Sequence, residues 1–400
     1  MRKITLMAVV ACMAASASAQ NPDALKSILA AKDFREAKTL VENAEGLSAE
    51  ENAKAWNKVV DLALEKFNKE SEIAETNKLL KKDEPVDNAG LGEAAVVAVE
   101  SALKCENYDQ QPNEKGKVKA KYHKANFDRL NSARLTLINV GQEAYNAQDY
   151  AKAKTAFGTY VDCKDNSLYS EFDFSTDQYL GQVAYFASLA SYNAKDYPAA
   201  NRYADIAIGD TAVAKDATEV KILAMKAQLK TKEDSVKYLN DIKQLYANNP
   251  QSERVFSLLA EYYQSIGDKD AKTALVNEQV AKYPSKMSWA LKGESEMNAQ
   301  NWKEAINSYK KSLELDPEFN QVKFNLALCL NNLAISIKDS NDGKLTPEAK
   351  SLLEESIEKL NQVKAADPDH QTINWPYMLY QAYYLVGDEA NAKALEDLIK

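Results

Sequence analysis

Residues 300–317 read QNWKEAINSYKKSLELDP. The stretch is one amphipathic helix with both ends marked. Gln300-Asn301 interrupts the chain before Trp302, Ala305 and Tyr309 share a face one turn apart, and Asp316-Pro317 stops the run. Nothing in it carries chemistry. It holds no nucleophile beside a base, no metal-ligand spacing and no glycine-rich phosphate loop. A segment so complete and so inert reads as a packing module, and modules of this size come in copies.

The copies are found by working outward. Upstream, a second amphipathic run supplies Trp289 and Gly293, so the full spacing is Trp289, Gly293, Ala305, Tyr309, Pro317. This resembles the tetratricopeptide repeat, whose pattern W-x2-L-G-x2-Y, then A-x3-F, then P covers 34 residues. Lys292 stands where that pattern has Leu, and Glu296 where it has Tyr. Small residues at Gly293 and Ala305 let two antiparallel helices close up, and Trp289 and Tyr309 are expected to fill the wedge between neighbours.

The same frame recurs as Leu137, Gly141, Ala153 and Phe157, with a turn at Gln148-Asp149-Tyr150. It returns as Ala184, Ser188, Ala200 and Ala207, with a turn at Lys195-Asp196-Tyr197 and Pro198 in the first helical turn, where proline is tolerated. A degenerate unit runs from about Glu219 to Pro250. Phe256, Leu259, Ala260 and Tyr263 follow, with Gly267-Asp268 at the turn and Pro284 at the end. After the 289–317 unit come Leu326, Ala327 and Leu330, closing at Pro368, and then Leu379, Tyr383, Gly387-Asp388 and Ala392. First-helix markers at 141, 188, 226, 260, 293, 327 and 380 are spaced by 47, 38, 34, 33, 34 and 53 residues. The central units keep the period, and the two wide gaps locate insertions near 164–177 and 338–348.

The N-terminal part is less regular. Lys32-Asp33-Phe34 looks like the turn into a second helix, and Ala53, Trp56, Val60, Leu64 and Phe67 form a stripe of helical period. A helix is expected near 93–107. The organisation read from these signals is a leader over 1–19, a helical region of degenerate repeats over 20–115, a Lys-rich linker and helix start over 116–133, and a repeat solenoid over 134–400. The fold class is all-α. The resemblance implies a right-handed superhelical solenoid of antiparallel helix pairs.

Composition agrees. The 400 residues include 12 Gly and 10 Pro, and 27% are charged. The first residues, MRKITLMAVVACMAASASAQ, carry two cations, an apolar run from Ile4 to Ala15 and the small-residue site Ala17-Ser18-Ala19, the pattern of an export signal cut after Ala19. Val9-Val10-Ala11-Cys12 is a loose lipobox, so an outer-membrane lipoprotein through Cys12 is the alternative. Chain length, leader and layout resemble exported tetratricopeptide proteins of Gram-negative cell envelopes, which implies a periplasmic location. Without Arg2 and Lys3 the formal charge of −9 becomes −11, which opposes phosphate surfaces and argues against nucleic acid as a partner. Past the leader remain Cys105, Cys163 and Cys329, enough for one bridge and not for a disulfide scaffold. His123 and His370 belong to no Cys/His cluster.

An enzyme is therefore not expected, nor a cofactor or a metal. In proteins of this resemblance the first helix of each pair lines a concave groove that binds peptides or helices. Counting each unit from its own frame turns Tyr145, Tyr185, Tyr192, Met297, Phe324, Tyr377 and Tyr384 inward. These are the candidate binding residues, since accessible aromatics carry much of the energy at interfaces; inter-repeat packing is the competing reading. The expected partner is a protein or peptide of the envelope. The Lys and Arg lattice that holds an acidic chain end is missing from these positions. Glycan capture, which also suits tyrosine faces, is the alternative function. The lysines at 115, 117, 119, 121 and 124 read as a solvated charge run, and Glu354, Glu355 and Glu358 as a helix face paired with lysines rather than as acids of a glycosidase.

Overall fold

The computed structural model describes residues 22–112 and 116–399. The leader, with Cys12, and Lys115 lie outside them. The described residues contain nineteen α-helices and no strand. They form two compact units, one ending at Leu229 and the other beginning at Lys230.

In the first unit, α1 (Pro22–Ala30) and α2 (Phe34–Glu42) make a short pair. The side chain of Asp33 accepts from the Arg35 and Glu36 amides at the turn between them. A long hairpin follows, α3 (Ala49–Leu80) and α4 (Asn88–Asp109). The stripe Ala53, Trp56, Val60, Leu64 and Phe67 is buried along α3, and Ser48 with Glu51 closes a capping box at its start. A short α5 (His123–Arg129) leads into the pairs α6 (Asn131–Asn146) with α7 (Tyr150–Asp162) and α8 (Leu180–Asn193) with α9 (Tyr197–Ala207). The unit closes with α10 (Ala214–Ala227). One hydrophobic core runs without a break from Ile28 to Ala217. The marker at 226 falls on exposed Lys226; the small residues that pack in α10 are Ala217 and Ala224.

The second unit begins with α11 (Lys232–Asn248) and continues with three pairs and a short end. These are α12 (Glu253–Ser265) with α13 (Lys269–Lys282), α14 (Lys286–Asn298) with α15 (Trp302–Leu315), and α16 (Asn320–Asp339) with α17 (Pro347–Ala366). Then come α18 (Pro376–Val386) and α19 (Glu389–Lys393). Successive helices pack in order, and α12, α14, α16 and α18 also touch one another in sequence. This is the contact pattern of stacked helix pairs, in which each repeat rests on its neighbours. The unit boundary after Leu229 falls inside the stretch read as a degenerate repeat, so its two helices, α10 and α11, belong to different units.

The turn inside five of the pairs is built the same way. A residue in the left-handed region is followed by an Asp or Asn at the helix start: Gln148-Asp149, Lys195-Asp196, Gly267-Asp268, Gln300-Asn301 and Gly387-Asp388, with φ of 60°, 61°, 73°, 61° and 83° at the first position. Asp149, Asp196, Asp268 and Asp388 each accept from the amide three residues on, at Lys152, Ala199, Ala271 and Asn391. Each cap satisfies one of the orphan amides of a helix N-terminus.

Close approach inside the pairs is a matter of single residues. A Cβ on Gly141 would meet the Phe157 ring at 2.5 Å, and one on Gly293 would meet Tyr309 at 2.7 Å. Ser188 stands in the same place in its own pair and uses its hydroxyl to reach the Ala200 carbonyl at 3.0 Å. Tyr309 is fully buried, as expected of a wedge residue. Trp289 is only half-buried: the ammonium groups of Lys311 and Lys292 stand 4.5 and 5.4 Å from its ring centroid. The two departures from the repeat pattern thus work locally, Lys292 on the Trp289 ring and Glu296 as acceptor for the Ser308 hydroxyl at 2.6 Å.

The wide spacings also find their cause. Between α7 and α8 three 3-10 turns, Cys163–Asp165, Ser167–Tyr169 and Phe174–Thr176, replace a short connection. In the second unit the extra length is mostly helix, because α16 and α17 each run 20 residues.

Candidate binding surface

The candidate residues fall into local groups. In the first unit Tyr145 and Tyr185 converge on Phe186, with ring centroids 6.1 and 5.5 Å away, and Phe186 in turn stacks on Phe157 at 5.8 Å. Both tyrosines are half-buried against the core, and burial pushes both phenols up from their ordinary pKa. Tyr192 stands apart and meets Tyr197 at 5.7 Å. Phe186 joins the group although its frame position gives no inward signal; it stacks on Phe157, the ring that Gly141 lets close against α6.

In the second unit Met297 and Phe324 are half-buried in separate clusters. Met297 packs beside Ala290 and Leu326 and takes the Tyr309 hydroxyl on its sulfur at 3.6 Å. Phe324 packs beside Trp375 and Leu379. Tyr377 and Tyr384 differ from all the others, being 56% and 65% exposed. They lie seven residues apart on α18, and Tyr384 stacks on Tyr380 at 6.2 Å with 15° between the ring planes. Gln381 lies between them, its Oε1 accepting from Asn331 on α16 at 3.3 Å, and Asn331 itself is fully buried. None of the eleven residues of α18, PYMLYQAYYLV, is charged.

The polar groups buried elsewhere in the first unit look like sites and are already filled. The insertion 164–177 wraps Arg134, whose guanidinium carbon lies 3.9 Å from the Tyr160 centroid and 5.7, 5.3 and 5.2 Å from those of Tyr169, Phe172 and Phe174. Asp177 accepts from Arg134 at 2.6 Å and from the Tyr160 hydroxyl at 2.8 Å. An aromatic cage that could take a cationic ligand is closed around the chain's own cation. Nearby, His123 Nδ1, the Ser167 hydroxyl and the Gln110 amide all converge on Glu106 Oε1 at 2.9, 2.9 and 2.7 Å. Ser, His and Glu meet here in the wrong order for catalysis. The serine and the imidazole are both bonded to the same carboxylate oxygen and not to each other, so the serine–histidine relay of a triad is not formed here.

Cys105, Cys163 and Cys329 are buried free thiols. Burial pushes them up to about 12, about 11 and about 12. Each is held as the neutral thiol, a poor nucleophile. Among the described residues no group of three or more His, Cys, Asp or Glu is arranged to hold a metal ion, and no helix is long and apolar enough to cross a membrane. In the Lys-rich segment, Lys121 pairs with Glu50 and Lys124 with Asp128, all four exposed or nearly so. Glu354, Glu355 and Glu358 pair with Lys350, Lys310 and Lys359 at 3.8, 2.8 and 2.9 Å.

No family model matches the chain, and no curated protein matches it. Among solved structures, a TPR repeats protein from Bacteroides fragilis is 18% identical, the match covering 63% of this chain and 98% of that one at a TM-score of 0.31. The human IFIT1 dimer with m7Gppp-AAAA is 16% identical over 84% of this chain and 72% of that one, at 0.36. The TPR2AB domain of yeast Sti1, in a complex with pHSP90, is 16% identical over 79% and 98%, at 0.24. The assignment to an all-α architecture of tetratricopeptide-like helix pairs stands on the packing and turns of this chain. The accessible chemistry of α18 is a surface of tyrosines and one carboxamide.

Proposed function

We propose that the protein is a non-enzymatic scaffold of the bacterial cell envelope that captures a partner chain on the first helices of its repeats. One observation carries the reading: α18 leaves Tyr377 and Tyr384 more than half exposed on a helix whose Leu379 and Ala382 are fully buried in the solenoid. Rings held in place lose little entropy when a partner covers them, which is why exposed tyrosines make interface anchors. The leader supports export to the periplasm. The intact mass of the native protein tests it, since a chain starting at Gln20 differs grossly from one diacylated at Cys12.

The function is tested by crosslinking in cells followed by mass spectrometry of envelope fractions, comparing the native chain with Tyr377→Ala/Tyr384→Ala. A partner captured by the native chain and lost from the variant supports the scaffold. Capture that is unchanged in the variant removes α18 from the binding surface. Glycan capture is the second reading of the same rings, and retention on a polysaccharide affinity gel that disappears in the variant would favour it.

A further inference from the structure

The α18 surface has a chemistry narrow enough to select among the ways a folded domain holds a peptide. Adding a strand requires an open sheet edge, and the described residues contain no strand. Recognition of an acidic or phosphorylated motif requires clustered arginines, and α18 has no charge at all in a chain where 27% of residues are charged. Docking of an amphipathic helix sinks its apolar side chains into a hydrophobic groove, yet the aliphatic side chains of α18 are turned to the core: Leu379 is fully buried and Leu385 half-buried, leaving hydroxyl-bearing rings outside. The mode that remains is the polyproline II helix, which docks on aromatic rings and brings its own rigidity.

The spacing fits. Tyr377 and Tyr384 are seven residues apart, about 10.5 Å along an α-helix. One turn of polyproline II, three residues at about 3.1 Å, advances about 9 Å. Prolines one turn apart can therefore lie against successive exposed rings. A polyproline II backbone leaves all its carbonyls unpaired, and the edge of α18 offers donors for them, the hydroxyls of Tyr377 and Tyr384 and the Nε2 group of Gln381. The Gln381 carboxamide is held by the bond from Asn331 to its Oε1, which leaves its donor end for a ligand.

We infer that the Tyr377–Gln381–Tyr384 face of α18 binds an uncharged, proline-rich extended segment of the partner. This rests on the scaffold reading and names the chemistry of what is captured. The test uses the purified full chain and three labelled probes followed by fluorescence anisotropy: a ten-residue polyproline, a Gly-Ser peptide of equal length, and a neutral linear oligosaccharide. Binding of polyproline alone, weakened at least tenfold in Tyr377→Ala/Tyr384→Ala and with circular dichroism and melting unchanged in that variant, supports the inference. Polyproline that fails to bind, or that binds the variant equally well, overturns it. So does an oligosaccharide that binds in its place. If the crosslinked partner still depends on both tyrosines while polyproline does not bind, the scaffold stands and only the proline-rich segment is lost.

Discussion

Arg134 and Asp177 form an ion pair of 2.6 Å in which the side chains are 2% and 3% exposed. The two residues come from the start of α6 and the end of the insertion, so this bond straps the insertion to the solenoid. Removing one partner leaves a charge with no counter-ion in a dry cage, a change that costs about 3–5 kcal/mol. Asp177→Ala and Arg134→Met should each show a loss of that order in urea unfolding. The double replacement should lose less than the two added together, because it leaves no orphaned charge. Additive losses would mean that the cage, and not the pair, holds the strap.

The ring group around Phe186 and the rings of α18 should respond in opposite ways. Tyr145→Ala removes a half-buried ring with edge-on neighbours at Tyr150 and Phe186. Lost burial and lost ring contacts together should cost about 1–3 kcal/mol. Tyr384→Ala removes a mostly exposed ring and should change stability by no more than about 0.5 kcal/mol. Thermal melts of the two variants distinguish packing from binding residues; equal shifts would place Tyr145 among the accessible ones.

Gly293 is held by its neighbour and not by its backbone angle. With the Tyr309 ring 2.7 Å from where a Cβ would sit, Gly293→Ala must push the ring away and should cost about 1–3 kcal/mol despite the better helix propensity of alanine. The loss should shrink in the Tyr309→Leu background, where the obstruction is smaller. A Gly293→Ala chain as stable as the parent would show that α14 and α15 separate freely.

At the turn Gln300 the reverse substitution should help. Its φ of 61° puts a side chain in the left-handed region, where glycine pays no steric penalty. Gln300→Gly should stabilise by up to about 1 kcal/mol, the steric relief outweighing the extra freedom of the unfolded chain. Gly267 and Gly387 already occupy the same position in other turns, so the same change there is not available. A fall in melting temperature would mean that the Gln300 side chain makes up for its backbone.

Acid should loosen the loop before α18. The Asp367 carboxylate accepts from the Thr372 hydroxyl and from the amides of Ile373 and Thr372, which hold its pKa down to about 2. A folded pKa below the unfolded value contributes stability that is complete above about pH 4 and is lost as pH falls towards 2. Asp367→Asn should remove that acid-sensitive part, so the parent and the variant should converge in stability as pH drops from 4 to 2. A constant gap between them across this range would show that the loop is held by something else, such as the bond from the Trp375 indole to the Asp367 carbonyl at 2.7 Å.

Read alone, the chain of residues determined the helix pairs. Period, small-residue positions, Asp-led turns and proline stops are local signals, and a repeat shows them many times over, so α6 to α9 and α12 to α19 could be placed from sequence. Tertiary structure decided what no local signal carries. It brought Arg134 and Asp177 together across 43 positions, closed the cage that the insertion builds, and divided the chain between α10 and α11. It also sorted the tyrosines. Tyr185 and Tyr377 stand at the same place in their repeats, and so do Tyr145 and Tyr384, but Phe186 and the core cover much of Tyr185 and Tyr145 while Tyr377 and Tyr384 stay more than half exposed. Exposure depends on which side chain a neighbouring helix happens to present, and that is written in contacts between distant residues and not in the spacing of any one repeat.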